Sequence, residues 1–205
     1  MSGAGDRSSL RRQMRAQRRA RTIDERTRAA RQIARVASRA LLLRPGAHLG
    51  VYIAHNAEAD MSPLIEVARK RGCHLYLPVI MDYRSARMRF VRYTERTKLV
   101  RNRYGIPEPI HGAATHTSTR LLDVIFVPLV AVDERGWRIG SGAGFYDRCL
   151  HHLRLDRLWR RPKLIGVGYD FQRVPMIAAE PWDVPLDGLV TEKGFYRFVP
   201  GRGTR

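Results

Sequence analysis

The stretch DVIFVPLVAVDERGWRIGSGAGFYDRCL, Asp123 to Leu150, decides how the chain is read. It opens with a continuous apolar run and breaks at a charged turn, Asp133-Glu134-Arg135. It continues as a loop with glycines at 136, 140, 142 and 144 and closes on Phe145-Tyr146-Asp147-Arg148. The unbroken apolar run predicts a strand buried on both faces over 122–132. A helix is expected from Phe145 to about Leu158. A buried strand, a glycine loop and a helix start together make an anion cradle. Glycines admit φ > 0 and bring bare N–H groups close to a ligand, and the helix adds its positive N-terminal end. A glycine cluster by itself more often marks a flexible turn. Here the spacing is regular, Arg138 and Arg148 flank it, and Asp133 and Asp147 lie close, which points to a phosphate site.

Upstream, residues 1–9 are small and polar and read as a frayed end. A first helix is expected from Ser9 to about Ala20. Thr22 followed by Glu25 is a capping box that starts a second helix near residue 23. Residues 10–44 hold 12 Arg. These read as two amphipathic helices with solvated basic faces, although Arg11 and Arg15, one turn apart, could point together at a phosphate. His48 to Ala54 is predicted as a strand, Met61 to Arg71 as a helix with Pro63 in its first turn, and His74 to Ile80 as a second strand, a βαβ unit. Met88 to Tyr93 alternates like a more exposed strand. Residues 94–120 read mostly as loop. Lys163 to Tyr169, Leu186 to Thr191 and a short Tyr196 to Val199 complete the strands. The expected fold is α/β, three layers (α/β/α) with a mostly parallel sheet. It forms a single domain, 1–205, whose helical Arg-rich extension, 1–44, packs on the core.

Composition narrows the class. The chain has 205 residues, of which 44% are hydrophobic, enough for one real core. Two cysteines, Cys73 and Cys149, make neither a disulfide framework nor a zinc spacing. No apolar run approaches the ~20 residues of a membrane span, and no signal-peptide core follows the basic start. A cytoplasmic protein is expected. Net charge is +19, from 38 Lys+Arg against 19 Asp+Glu, which suits an anionic partner. Only four of those cations are Lys, so codon bias toward Arg explains the excess equally well.

In open α/β sheets ligands bind beyond the carboxyl ends of the strands. Three polar clusters fall there: Glu58 and Asp60, the glycine loop, and Gln172 through Asp183. Acids beside a phosphate loop are candidate Mg²⁺ ligands, Asp147 first and Asp183 second if their strands are neighbours. The seven histidines show no ligand spacing, and no nucleophile–base pair is visible. No Gly-Lys-Ser/Thr closes the loop, so it is not a P-loop, and it lacks the dinucleotide fingerprint. On residues alone the ligand is a nucleotide or a phosphate ester.

Val127-Pro128, Asp133, Gly136 and Arg138 through Arg148 resemble the signature of the 5-formyltetrahydrofolate cyclo-ligase (5,10-methenyltetrahydrofolate synthetase) family, roughly VP-x(4)-D-x-x-G-x-R-L-G-x-G-x-G-Y-Y-D-R. Glu58-Ala59-Asp60 is similar to its E-V-D-T, and Tyr104 through Pro109 to its G-I-x-E-P. Leu164 through Val167 with Gln172, Glu180 and Asp183 follow its I-G-V…Q…P-x-E-x-x-D, and Arg11 and Arg15 its K-x-x-x-R. The resemblance implies ATP-dependent closure of 5-formyltetrahydrofolate to 5,10-methenyltetrahydrofolate, with ATP as co-substrate and Mg²⁺ as cofactor. It implies that Arg11, Arg15 and Arg138, Ile139, Gly140, Ser141, Gly142, Ala143, Gly144, Phe145 and Tyr146 bind ATP. The folate would lie on Ile53, Glu58 and Ser141 through Phe145, with Arg138 and Tyr146 catalytic and Asp147 and Asp183 holding the metal. The chain departs from the pattern at Arg11 (Lys in the family), Met61 (Thr), Phe145 (Tyr) and Ala179 (Pro). A monomer is expected, with two small-molecule substrates and no membrane partner; nucleic acid is disfavoured, though the basic N-terminus leaves it open. Two other readings remain: an RNA-binding protein using the Arg-rich start, and a sugar-phosphate isomerase-like enzyme that needs no ATP.

Overall fold

A computed structural model of the protein describes residues 3–110, 116–142, 144–155 and 162–198. Ala143, the expected helix end at Leu158 and the last residue of the expected final strand, Val199, lie outside the described residues. In chain order the elements are α1 (Gly3–Ala20), α2 (Ile23–Arg39), β1 (His48–Gly50), α3 (Ser62–Lys70), β2 (His74–Asp82), β3 (Arg87–Tyr93), β4 (Leu99–Arg101), β5 (Pro107–Pro109) and β6 (His116–Thr117). There follow β7 (Val124–Pro128), β8 (Ala131–Asp133), β9 (Arg138–Ile139), α4 (Phe145–Leu155), β10 (Lys163–Val167), β11 (Arg173–Val174), β12 (Gly188–Val190) and β13 (Phe195–Arg197).

Eight strands form the main sheet in the order β13-β12-β10-β7-β1-β2-β3-β6. The five in the middle, β12 to β2, run parallel, and antiparallel strands flank them on both sides. Side-chain alternation makes the three layers. Val124 and Phe126 of β7 join the core under α2 and α3, together with Leu49, Leu75, Ile33 and Leu64. Ile125 and Val127, pointing the other way, join the core under α4 with Phe90, Leu150 and Leu164. The strands are therefore buried on both faces, as a parallel sheet between helices must be.

Three expectations change. The predicted long strand over 122–132 is two strands. β7 ends at Pro128, which has no N–H to extend a ladder, and the chain crosses to a small separate sheet, β11-β8-β9. The stretch 94–120 is less irregular than expected: β4 and β5 form a hairpin, with Leu99 opposite Pro109, and β6 pairs with β3. The frayed start is instead helical from Gly3, so α1 begins six residues before Ser9. The capping box is as expected. The Thr22 hydroxyl accepts from Glu25 N–H at 3.2 Å, and the Glu25 carboxylate accepts from Thr22 N–H at 2.8 Å. α1 is carried by Leu10 and Met14, which pack on Val130, Ala131 and Ile139 of the small sheet.

Strand order reverses between β1 and β7. β2 lies on one side of β1, while β7, β10 and β12 build outward on the other. The loops leaving the carboxyl ends of β1 and β7 consequently diverge and open a crevice, the place where ligands bind in such sheets.

Candidate active site

The crevice is an inner cavity. Tyr52, Ile53 and Glu58 come from the loop after β1, Pro128, Leu129 and Val130 from the loop after β7, and Met88, Ile106 and Pro107 from the opposite wall. The glycine loop closes it with Gly140, Ser141 and Gly144, and Phe145, Tyr146 and Asp147 follow at the start of α4. A second, outer cavity lies across the same loop. It is lined by Gly140, Gly142, Gly144, Arg7, Arg11, Arg148, Asp147 and Asp183. The outer space is roomier, ≈ 660 Å³ against ≈ 140 Å³ inside. Arg138, Gly140, Gly144 and Asp147 line both.

The loop after β1 is built to present Glu58. Asn56 and Ala57 both hold positive φ, 50° and 59°, which folds the chain back so that Glu58 N–H donates to His55 C=O at 3.1 Å. Each such non-glycine residue costs on the order of 1 kcal/mol. The Glu58 carboxylate accepts from His55 N–H at 3.1 Å. Burial holds its pKa above the ordinary carboxylate value, against the opposing pull of that N–H and of Arg18 and Arg15. Tyr52, buried, and Tyr146, half-buried, lie near it, and desolvation pushes both phenols well up, so each stays an O–H donor. Cys73 and Cys149 are pushed up by burial too, Cys149 to about 11, so neither is a ready thiolate nucleophile.

The glycine loop needs its glycines for different reasons. Gly142 sits at φ +115° with open space around its Cα, so only backbone conformation excludes a side chain. Gly136, at φ +86° in the β8–β9 turn, is blocked as well: a Cβ there would lie 2.6 Å from the Leu186 carbonyl. Asp133 organises that turn and does not reach the phosphate side. Its buried carboxylate accepts from the N–H groups of Arg135, Trp137 and Ile177 and pairs with the Arg135 guanidinium at 3.0 Å.

Arg138 is buried where the two cavities meet. One of its amino groups donates to the Val184 carbonyl and the other to Asp147 Oδ1 at 2.7 Å, and Val184 N–H reaches the same oxygen at 3.3 Å. Arg7 pairs with Asp183 at 3.0 Å, and Glu180 N–H donates to the same carboxylate oxygen at 2.9 Å. The two candidate metal ligands therefore face one cavity, each already beside a guanidinium. Among the described residues no group of three or more His, Cys, Asp or Glu could hold a metal. Two carboxylates without a third protein ligand suit a hard ion that takes the rest of its oxygens from phosphate and water, the usual arrangement for Mg²⁺.

Arg11 Nε donates to the Gly140 carbonyl at 3.2 Å, and Arg15 Nη2 to the Ser141 carbonyl at 2.9 Å. Both thus hold the glycine loop, and Arg11 also lines the outer cavity. Burial, and then the neighbouring charges of Arg7 and Arg15, hold the Arg11 pKa below its ordinary value. Like charges gathered this way favour an anion. Arg18, one turn further along, is buried and reaches Leu129 C=O at 3.4 Å and Asn56 C=O at 3.1 Å, tying together the two loops that form the crevice. Arg7 and Arg18 escaped the sequence reading, yet a signal was present. Positions 7, 11, 15 and 18 continue one helical stripe, of which only the middle pair was singled out. Ile53, Glu58, Ser141, Gly144 and Phe145 come together in the inner cavity. Ile139 is buried behind the loop against Met14, and Asp60 is turned away, its carboxylate accepting from Ser62 N–H at 2.9 Å at the start of α3. Gln172, the other polar residue of the sequence pattern, is structural: its buried amide donates to Leu129 and Val130 carbonyls at 2.9 Å.

An apolar crevice at a sheet switch point, joined through a glycine loop to a basic cavity bearing two carboxylates, is the ligand site expected of an α/β enzyme. A profile of the 5-formyltetrahydrofolate cyclo-ligase family matches residues 4–192. The chain belongs to that family. It is 38% identical over 145 residues to the 5-formyltetrahydrofolate cyclo-ligase of Escherichia coli K12, covering 70% of this chain and 76% of that one. It is 32% identical over 145 residues to that of Mycolicibacterium smegmatis, covering 69% and 72%. The solved 5,10-methenyltetrahydrofolate synthetase of Aquifex aeolicus superposes with a TM-score of 0.76 at 29% identity, over 97% of this chain and 96% of that one. No helix among the described residues is long and apolar enough to cross a membrane.

Proposed function

We propose that the protein closes 5-formyltetrahydrofolate to 5,10-methenyltetrahydrofolate with conversion of ATP to ADP and phosphate. The observation that carries this is the pair of cavities sharing Arg138, Gly140, Gly144 and Asp147. A reaction that moves a phosphoryl group from ATP to a folate needs its two substrates to meet at one wall, and the glycine loop suits that place.

In this reading the pterin lies in the inner cavity over Ile53, and the Glu58 carboxylate accepts from its ring N–H donors. ATP lies in the outer cavity. Backbone N–H groups of the loop, with Arg7 and Arg11, carry the phosphates, and Arg138 fixes the Asp147 carboxylate at the junction. The formyl oxygen bonds to the γ-phosphorus, and ADP leaves. The folate N10 lone pair then attacks the formyl carbon, the C–O bond breaks to release phosphate, and the N10 proton is lost. An amide-like oxygen becomes a good leaving group in this way without any protein nucleophile. That agrees with two cysteines held protonated by burial. Asp147 and Asp183 would hold Mg²⁺, which supplies charge neutralisation on the phosphate oxygens. The chain's own share is positioning and preorganised charge. The test is the methenyl chromophore: purified protein should generate it from 5-formyltetrahydrofolate only with MgATP. Its absence from folded protein supplied with both would overturn the reading.

A further inference from the structure

A third cavity, ≈ 380 Å³, opens beside the inner one and shares Tyr52, Ile53 and Pro107 with it. It runs along α3, from Met61 and Ser62 at the helix start to Arg69 near its end, roughly 10 Å at 1.5 Å per residue. Its middle is apolar: Ile65, Tyr93 and Leu99 line it. At its far end the Arg69 guanidinium stacks over the Tyr93 ring, 4.7 Å from the centroid. Arg69 Nη2 is buried and has no hydrogen-bond partner. A buried guanidinium nitrogen with nothing to donate to is costly, and a carboxylate is the group that best matches it.

Nothing in the proposed pterin site uses this arrangement. The one cation among the described residues lining the inner cavity, Arg138, is committed to Asp147 and the Val184 carbonyl. A folate, however, carries an aromatic ring and carboxylates beyond its pterin. We infer that the groove along α3 is the subsite for the p-aminobenzoyl-glutamate portion of the substrate. The benzoyl ring would lie between Ile53, Leu99 and Tyr93, and a glutamate carboxylate would take Arg69 Nη2. The two other charges at the groove are already engaged: Asp60 caps α3, and Glu66 pairs with Lys70 at 2.6 Å. This inference rests on the folate reading of the inner cavity.

Two variants and one ligand test it. Arg69→Met should raise KM for 5-formyltetrahydrofolate about tenfold or more, the size expected for one charge-assisted hydrogen bond, with kcat little changed. Arg69→Lys should recover part of the loss. Leu99 is exposed on the β4–β5 hairpin, so Leu99→Glu should leave folding intact while placing a negative charge in the groove, and it should raise KM as well. Equilibrium dialysis with free p-aminobenzoyl-glutamate should show binding to the unaltered protein and a loss of at least tenfold in Arg69→Met. An active enzyme whose folate KM is unmoved by both variants would overturn the subsite and leave the cyclisation standing. An inactive protein that still binds p-aminobenzoyl-glutamate through Arg69 would overturn the cyclisation and leave the subsite standing. Failure of p-aminobenzoyl-glutamate to bind, with unchanged KM, overturns the inference.

Discussion

Glu58 carries an opposition between stability and binding in a single side chain. Burial raises its pKa in the folded protein above the unfolded value. Its stabilising contribution is therefore fully present below the unfolded pKa, about 4.3, and is lost as pH rises through the folded pKa. At neutral pH the ionised carboxylate opposes folding, whereas in the proposed folate site that form is the better acceptor for pterin N–H donors. Glu58→Gln should consequently raise the thermal midpoint at pH 7 to 8 by a few degrees, show no gain near pH 4, and weaken 5-formyltetrahydrofolate binding at least tenfold. A midpoint that falls at pH 7 would contradict the desolvation account. Asp147 is the converse case. It is half-buried and holds Arg138, so Asp147→Ala should lower kcat about a hundredfold or more, the scale of a lost preorganised charge, for a stability loss of about 1 to 3 kcal/mol. Turnover against Mg²⁺ concentration, alongside a melting curve, separates the two effects.

Among the elements, the glycine loop and the turn before it make a paired prediction. At Gly136 an added methyl meets the Leu186 carbonyl at 2.6 Å and the backbone is left-handed. Gly136→Ala should destabilise by about 2 to 4 kcal/mol, read in denaturant unfolding. At Gly142 space is open and only the backbone is strained, so Gly142→Ala should cost less, about 1 to 2 kcal/mol, while weakening nucleotide binding, read as a raised KM for ATP. Equal stability losses in the two variants would show that space does not distinguish them. The elements also mark what the sequence made legible. The glycine loop followed by α4 was plain, because left-handed backbone demands glycine locally. The break of the long apolar run at Pro128 was not, since Leu129 to Val132 are as apolar as the strand before them. Only the packing of Val130 and Ala131 against α1, and the pairing of β8 with β9 and β11, show that the run continues into another sheet. The β4–β5 hairpin was hidden for the same reason: two three-residue strands hold no period that can be counted.

On the scale of the whole molecule, the α/β class and the parallel order of strands were readable, because runs buried on both faces and the spacing of helices between them follow from the layers themselves. What remained hidden was long-range. Arg7 pairs with Asp183 across 176 positions, and neither neighbourhood announces the other. The outer cavity draws on α1, the glycine loop and the segment before β12, so nucleotide binding there, as proposed, would be a global event. MgATP at a hundred times its Kd should stabilise the fold by about 2.7 kcal/mol. For a chain of this length that is a rise of roughly 5 to 10 °C in the thermal midpoint. 5-Formyltetrahydrofolate alone should give a separate shift, and a sugar phosphate none. A shift with sugar phosphate instead would favour the isomerase-like reading.

The contacts of Arg11, Arg15 and Arg18 have a practical corollary. A helix that looks like a basic tail grips the carbonyls of Gly140, Ser141, Asn56 and Leu129, on the loops that wall the two cavities. α1 thus behaves as a clasp, and whatever disturbs it should disturb the proposed catalytic floor while leaving the main sheet whole. A protease nick after Arg12 should yield a protein that still melts cooperatively, elutes normally and does nothing. Purification handles therefore belong at the other end of the chain, and a loss of activity on storage with no loss of solubility points first to that helix.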